Sequence, residues 1–248
     1  MNVDIQHRFL KLWEKYFNNT ELPIISYYTD EEERGEKVSL ASTSRCVIGT
    51  LAKVRKGDSV YLNVDSIGCP GGRKYLGFTE GIMPNFEYFL SCGIPGRLEG
   101  ERYSKSPELV KKLMNNMPEF KAPGRFIVFK RWDKLERQDE PQVVNFFAEP
   151  DVLSGLFTLY RFDEIDRDIV SAPFGSGCST VVQYPYVESN SSHPRAVIGM
   201  FDISARPFVP KNVITFSIPM RKLVTMIENM EESFLITNSW QAVQKRIG

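Results

Sequence analysis

Histidine is nearly missing from this chain, with only His7 and His193. A Cys–His nucleophile pair or a Ser–His–Asp hydrolase site would have to use one of them. His7 lies in a helical pattern and His193 precedes Pro194 in a polar stretch, so neither chemistry is expected. No C-x-x-C pair occurs, which excludes zinc-ribbon and ferredoxin spacings. Charge of one sign is not in excess: 31 basic residues balance 31 acidic ones. A dedicated nucleic-acid binder carries a basic surface, so no nucleic-acid partner is expected. No apolar run approaches the ~20 residues that cross a bilayer. The opening "MNVDIQHRFLKLWEKYF" lacks the apolar core and cleavage site of a signal peptide. These absences point to a cytoplasmic protein with no membrane partner. Four cysteines in that compartment are thiols, metal ligands or core residues rather than disulfides.

What is present is an ordinary globular composition over 248 residues, read as a single module spanning 1–248. A chain of this length buries a sizeable core without disulfides or metals, so any metal would be functional. Residues 3–18 show apolar side chains at helical spacing. Strands are expected at 22–28, 59–64, 125–130, 142–147, 195–201 and 213–218. A helix is expected over 42–57, with a Ser or Thr as N-cap and Gly57 as its stop. Ser106 and Pro107 open a helix to 117. Further helices follow Pro150 and Pro219, and a last one runs from 232 to 246. The acidic run Asp30–Glu33 reads as a solvated loop, and 65–78 as a turn-rich loop. Interspersed helices and strands predict an α/β or mixed α+β fold.

The two halves, 20–124 and 125–248, share an order of features. Strand, cysteine, strand and aspartate recur as 22–28, Cys46, 59–64 and Asp65, then as 142–147, Cys178, 195–201 and Asp202. "LVKKLMNNMPEF" and "LVTMIENMEESF" close the halves with similar helices. A duplication would make Cys46 the counterpart of Cys178 and place a cleft between the halves, where ligands commonly bind. Chance resemblance of short apolar segments is the alternative.

The stretch "SAPFGSGCSTVVQYP" (171–185) encloses Cys178 between glycines and hydroxyl residues. Gly175 and Gly177 permit close backbone approach. If a helix starts there, its free N–H groups attract anions and lower the thiol pKa. The same residues are β-branched enough to form a strand with a packed cysteine. The pattern lacks the Lys-Ser/Thr ending of a Walker loop. "SIGCPGGRKYLGF" makes a parallel case for Cys69, with Gly71 and Gly72 approaching a ligand and Arg73 pairing with its anionic group. Cys46 reads as core, raised by its relation to Cys178. Cys92 sits at an expected helix end, where the dipole disfavours a thiolate. Asp202 and Arg206 form either a structural pair or, with Arg206 as an anion clamp, part of a ligand cleft. Tyr27, Tyr28, Tyr184 and Tyr186 are pocket or core aromatics.

Six stretches together resemble domain-of-unknown-function family 169: "CVIGTLAKVRKGDSVYLN", "GCPGGRKYLGF", "EPQVVNFFAEPDVLSGLFTLYRFD", "FGSGCSTVVQYPYVE", "AVIGMFDISARP" and "SFLITNSW". The resemblance runs from about Leu22 to Trp240. It implies a self-contained cytosolic module and puts weight on Cys46, Cys69 and Cys178. It supplies no catalytic set.

Three functions remain open. Cys46, Cys69 and Cys178 converge on zinc or an iron–sulfur cluster, or Cys178 acts as a thiolate nucleophile in a redox-related protein. Alternatively, glycine-rich loops cradle a small anionic molecule through backbone N–H groups. Alternatively, the cysteines are core residues of a structural or partner-binding protein. Oligomeric state is open in all three.

Overall fold

The structure, a computed structural model, describes residues 3–18, 20–32, 36–37 and 46–247. The chain runs α1 (Val3–Phe17), β1 (Ile24–Thr29), β2 (Glu36–Lys37), α2 (Val47–Arg55), β3 (Val60–Leu62) and α3 (Pro70–Tyr75). It continues through α4 (Phe86–Phe89), α5 (Pro107–Asn115), β4 (Phe126–Arg131), β5 (Val143–Ala148), α6 (Pro150–Arg161) and β6 (Val170–Ser171). A π-helical turn, Ser179–Gln183, leads into α7 (Tyr184–Glu188). β7 (Ala196–Gly199), β8 (Ile214–Pro219), α8 (Met220–Asn229) and α9 (Asn238–Gln244) complete the fold. It is a mixed α+β architecture around one sheet.

The eight described strands lie in the order β2-β3-β4-β1-β5-β8-β7-β6. The two outer pairs, β2–β3 and β6–β7, are parallel, and every inner pair is antiparallel. Outward from the β1–β5 pair, each side therefore shows the same sequence of pairing senses. β4 lies on β1's side, so that side extends past the boundary expected at 124. The helices matched by sequence do not match by position. α5 precedes β4, the last strand on its side, whereas α8 follows β8.

Both sheet faces are covered, because side chains alternate along each strand. On β4, Phe126 and Val128 join one core while Ile127 and Phe129 join the other. The first core packs α1, α6, α8 and α9 against the sheet through residues such as Trp13, Leu156, Met226 and Trp240. The second packs α2, α3 and the π-turn through Val47, Leu51, Tyr75 and Val181. Each fully buried Phe or Leu contributes about 1.5–3 kcal/mol by leaving water.

Several local expectations change. α2 begins at Val47 with Cys46 at its N-cap, so no Ser or Thr holds that position; residues 42–45 lie outside the described residues. The expected loop at 65–78 contains α3, because Pro70 is pre-organised for a first helical turn. Residues 177–188 are helical, with a π-turn inserted, and not a strand. The last helix is shorter than 232–246. Its first part is a 3-10 turn, Phe234–Ile236, and Thr237 caps α9 by accepting from the Trp240 N–H at 3.3 Å.

Candidate functional site

Cys46, Cys69 and Cys178 come from three separate segments, and all three line one cavity of about 260 Å³. Each lies within the first turn of a helical segment. Cys46 caps α2 and Cys69 caps α3. Cys178 is the second residue of the helix that begins at Gly177. The three helix starts approach closely because small residues stand at the contacts. A Cβ on Gly72 would lie 3.1 Å from Val47 Cγ2 and 3.0 Å from Ile67 Cγ2. One on Gly177 would lie 2.7 Å from Ile48 Cγ1 and 3.1 Å from Ala205 Cβ. Gly71, Gly72, Gly175 and Gly177 all line the cavity.

The turn that delivers Cys69 is held by its own polar groups. Asn63 and Ser66 exchange bonds: the Asn63 N–H donates to Ser66 Oγ and the Ser66 N–H to Asn63 Oδ1, both at 2.9 Å. Arg73 Nε donates to the Ile67 carbonyl at 2.7 Å. Arg73 stands outside the cavity lining and fixes this turn. Arg206 behaves in the same way. Its guanidinium donates to the carbonyls of Val213 (2.5 Å), Lys211 (2.9 Å) and Pro210 (3.2 Å). It stands outside the cavity lining, and the Asp202 carboxylate is bonded to Gly177 and Ser204 instead.

Asp202 does reach the cavity and is buried. Its Oδ2 accepts the Gly177 N–H at 3.1 Å, and its Oδ1 accepts the Ser204 N–H at 2.9 Å and hydroxyl at 2.7 Å. The carboxylate thus caps the helix that carries Cys178, where the positive helix end favours it. Asp65, its proposed counterpart, is exposed and lies outside the cavity lining.

Two of the thiols, Cys46 and Cys178, hold their protons more tightly than an ordinary thiol. Burial pushes the Cys178 thiol well above its ordinary value, and charge on Cys46, Cys69 or Asp202 would push it further. Burial also raises Cys46, with the Gly49 and Ile48 N–H groups drawing it partly back. The lowered pKa expected for Cys178 at a helix start is therefore not found: desolvation outweighs the helix end. Tyr75 faces the same group. Burial raises it, followed by Tyr184, Cys178, Asp202 and Cys69. Among the described residues, no three His, Cys, Asp or Glu side chains form a group that could hold a metal ion. The zinc and iron–sulfur expectations thus find no ligand set at the three thiols.

The opposite wall is built by residues 78–121, a long excursion between α3 and β4. Met83, Phe86 and Phe89 line the cavity from around α4, and Leu113, Met114 and Met117 from in and beyond α5. The excursion closes on itself where the Ala122 N–H donates to the Gly77 carbonyl at 2.9 Å. Gly77 sits at φ +77°, with the Ala122 nitrogen against the position a Cβ would take. Among the described lining residues the charged ones are Glu101 and Asp202, both acidic.

Sequence reading missed Tyr75, Tyr103 and the three methionines. The available signal was α5 itself, an amphipathic helix that buries only Val110 and leaves Leu109 and Leu113 half exposed. Tyr27 and Tyr28 are core, and Tyr186 packs on Tyr28 and Phe120. Cys92 is exposed and outside the cavity. A larger groove, about 530 Å³, lies near Trp13, Phe147 and Ile247. Two charge pairs close within it, Arg55 binding Glu21 through two nitrogens and Arg246 meeting Asp151 at 3.0 Å, while Glu149 accepts from Asn212 Nδ2 at 2.6 Å.

The fold and cavity define a mixed α+β protein with three thiols gathered at helix starts. The chain belongs to domain-of-unknown-function family 169, described as uncharacterised ArCR, which matches residues 15–229. Neither a curated protein nor a solved structure matches it significantly. No helix among the described residues is long and apolar enough to cross a membrane.

Proposed function

We propose that this protein binds a small, mainly apolar molecule between the thiol-bearing helix starts and the 78–121 wall, and that the thiols are the groups that hold it or act on it. The observation that carries this reading is the shared cavity of Cys46, Cys69 and Cys178. Cavities of a few hundred ångströms cubed with apolar walls and few polar groups are the usual form of ligand sites. The ligand is neutral or cationic rather than anionic. Arg73 and Arg206 are engaged with carbonyls, and the charged lining is acidic. Burial keeps Cys46 and Cys178 protonated at rest, so they suit a thiophilic ligand that displaces the proton rather than acting as pre-formed thiolate nucleophiles. Such a site works where thiols stay reduced, which favours a cytoplasmic setting.

Melting temperatures with a panel of small aromatic, alkylammonium and carboxylate fragments test the reading. A fragment at a hundredfold its Kd stabilises the native state by about 2.7 kcal/mol. The control is Gly71→Leu. Gly71 has no positive φ, and a Cβ there meets Cys69 Sγ and Tyr75 only at ordinary contact, so the variant fills the cavity without straining the backbone. Neutral or cationic fragments should raise the wild-type melting temperature and leave Gly71→Leu unmoved. Equal shifts in both proteins, or none in the wild type, would overturn the proposal.

A further inference from the structure

The sheet face beneath the π-turn carries polar side chains where a core is expected to be apolar. Asn145 on β5 and Ser217 on β8 are direct cross-strand partners, and Thr215 lies two residues along β8 on the same face. All three are fully buried. Four of their atoms have no hydrogen-bond partner among the described residues: Asn145 Oδ1 and Nδ2, Thr215 Oγ1 and Ser217 Oγ. Buried polar groups in native proteins are almost always satisfied, by protein or by ordered water.

The geometry narrows what satisfies these. Cross-strand neighbours have Cβ atoms about 4.5–5.5 Å apart. Asn145 and Ser217 are therefore adjacent, yet they do not bond each other directly, which is the spacing of groups bridged by a third. The roof is the π-turn, whose Thr180 is buried above β7. Thr180 Oγ1 donates to the Gly177 carbonyl at 3.1 Å and keeps lone pairs free. Gly199 on β7 makes room: a Cβ there would collide with Thr180 Oγ1 and lie 2.8 Å from Thr215 Oγ1. The Thr180 and Thr215 hydroxyls thus crowd the same glycine from helix and sheet. None of these residues lines either cavity described above. No charged side chain belongs to the set, and its mix of amide donors with amide and hydroxyl acceptors suits water.

We infer that Asn145, Thr215, Ser217 and Thr180 form an internal hydration site, holding on the order of two ordered waters, that seats the Cys178-bearing helix on the sheet. This inference is independent of what the thiol cavity binds. The π-turn fits it. An inserted π-turn widens a helix locally, and such turns recur where a helix must accommodate a specific neighbour.

Two measurements on the full chain test it. Water-selective magnetisation transfer should give a cross-peak at the Asn145 side-chain amide from long-lived water. Thr215→Val, which keeps shape and removes the hydroxyl, should lower the melting temperature by a few degrees, at about 2–4 °C per kcal/mol for a chain of this size. If the site is dry, the same substitution deletes an unsatisfied hydroxyl and leaves the melting temperature unchanged or higher. Absence of the cross-peak, or a Thr215→Val protein that melts no lower than wild type, would overturn the inference.

Discussion

At the scale of single residues, Gly177 decides how closely the helix starts meet. Its substitution by Ala would drive a methyl to 2.7 Å from Ile48 Cγ1, against a fully packed helix. Overpacking of this kind costs about 1–3 kcal/mol. Urea denaturation of Gly177→Ala should show that loss with an unchanged slope; a midpoint equal to wild type would mean the contact yields freely. Cys178 sets a second residue-scale expectation. Burial keeps its proton on in the folded state, while the unfolded chain releases it at the ordinary 9.0. Above that pH the unfolded state binds fewer protons, so stability is full below about pH 9 and falls as pH rises through the window beyond it. Tyr28, Tyr75 and Tyr160, also raised by burial, act in the same direction from their ordinary 10.0 upward. Cys178→Ala should therefore lose less stability than wild type between about pH 8 and pH 9.5, read from urea midpoints. Alkylation followed by mass spectrometry should label exposed Cys92 first and Cys178 last.

At the scale of elements, β4 is tied to the turn that follows it by a buried ion pair. Lys130 Nζ donates to both oxygens of Asp139 at 2.9 Å, and the Tyr27 hydroxyl adds a bond to Oδ1 at 2.6 Å. Asp139→Asn should cost about 1–3 kcal/mol, because it removes the buried carboxylate and leaves the Lys130 ammonium with Glu136 Oε2 at 2.9 Å as its charged partner. The double replacement Lys130→Met with Asp139→Leu should cost less than that single change. A double variant as unstable as the sum of its singles would show that the two side chains are not coupled and would sink this reading of the pair. Elements were legible in the sequence where local chemistry alone decides them. Ser106 with Pro107, and Pro150, mark helix starts that the structure keeps. Residues 177–188 were ambiguous because "STVVQY" favours a strand by side-chain shape. Helix won there because Ser176 Oγ accepts the Ser179 N–H at 3.1 Å and Asp202, distant in sequence, accepts the Gly177 N–H. A cap supplied from 25 residues away leaves no local trace.

At the scale of the whole molecule, the sequence indicated that Cys46, Cys69, Cys178 and Asp202 belong together, and one cavity holds them all. It did not show that Arg73 and Arg206 donate to backbone carbonyls outside the cavity lining, since a guanidinium near a strand end reads alike whether it meets a ligand or a carbonyl. It placed a helix at α5 without showing that it forms the far wall, because a half-exposed apolar face does not name its neighbour and α4 is only four residues long. That wall begins and ends at the Gly77–Ala122 hydrogen bond. Between those ends it is fastened to the body where Gln183 Nε2 donates to the Pro118 carbonyl at 3.0 Å and where Phe78 and Phe120 pack on Tyr28. Closing a loop costs entropy that grows only slowly with its length. A short Gly-Ser bridge in place of 78–121 should preserve the β3–β4 pairing, seen as cooperative melting, while exposing Cys69 to alkylation. One contiguous segment thus sets the outer wall of the cavity, while the helix starts that carry the thiols belong to the body built on the sheet.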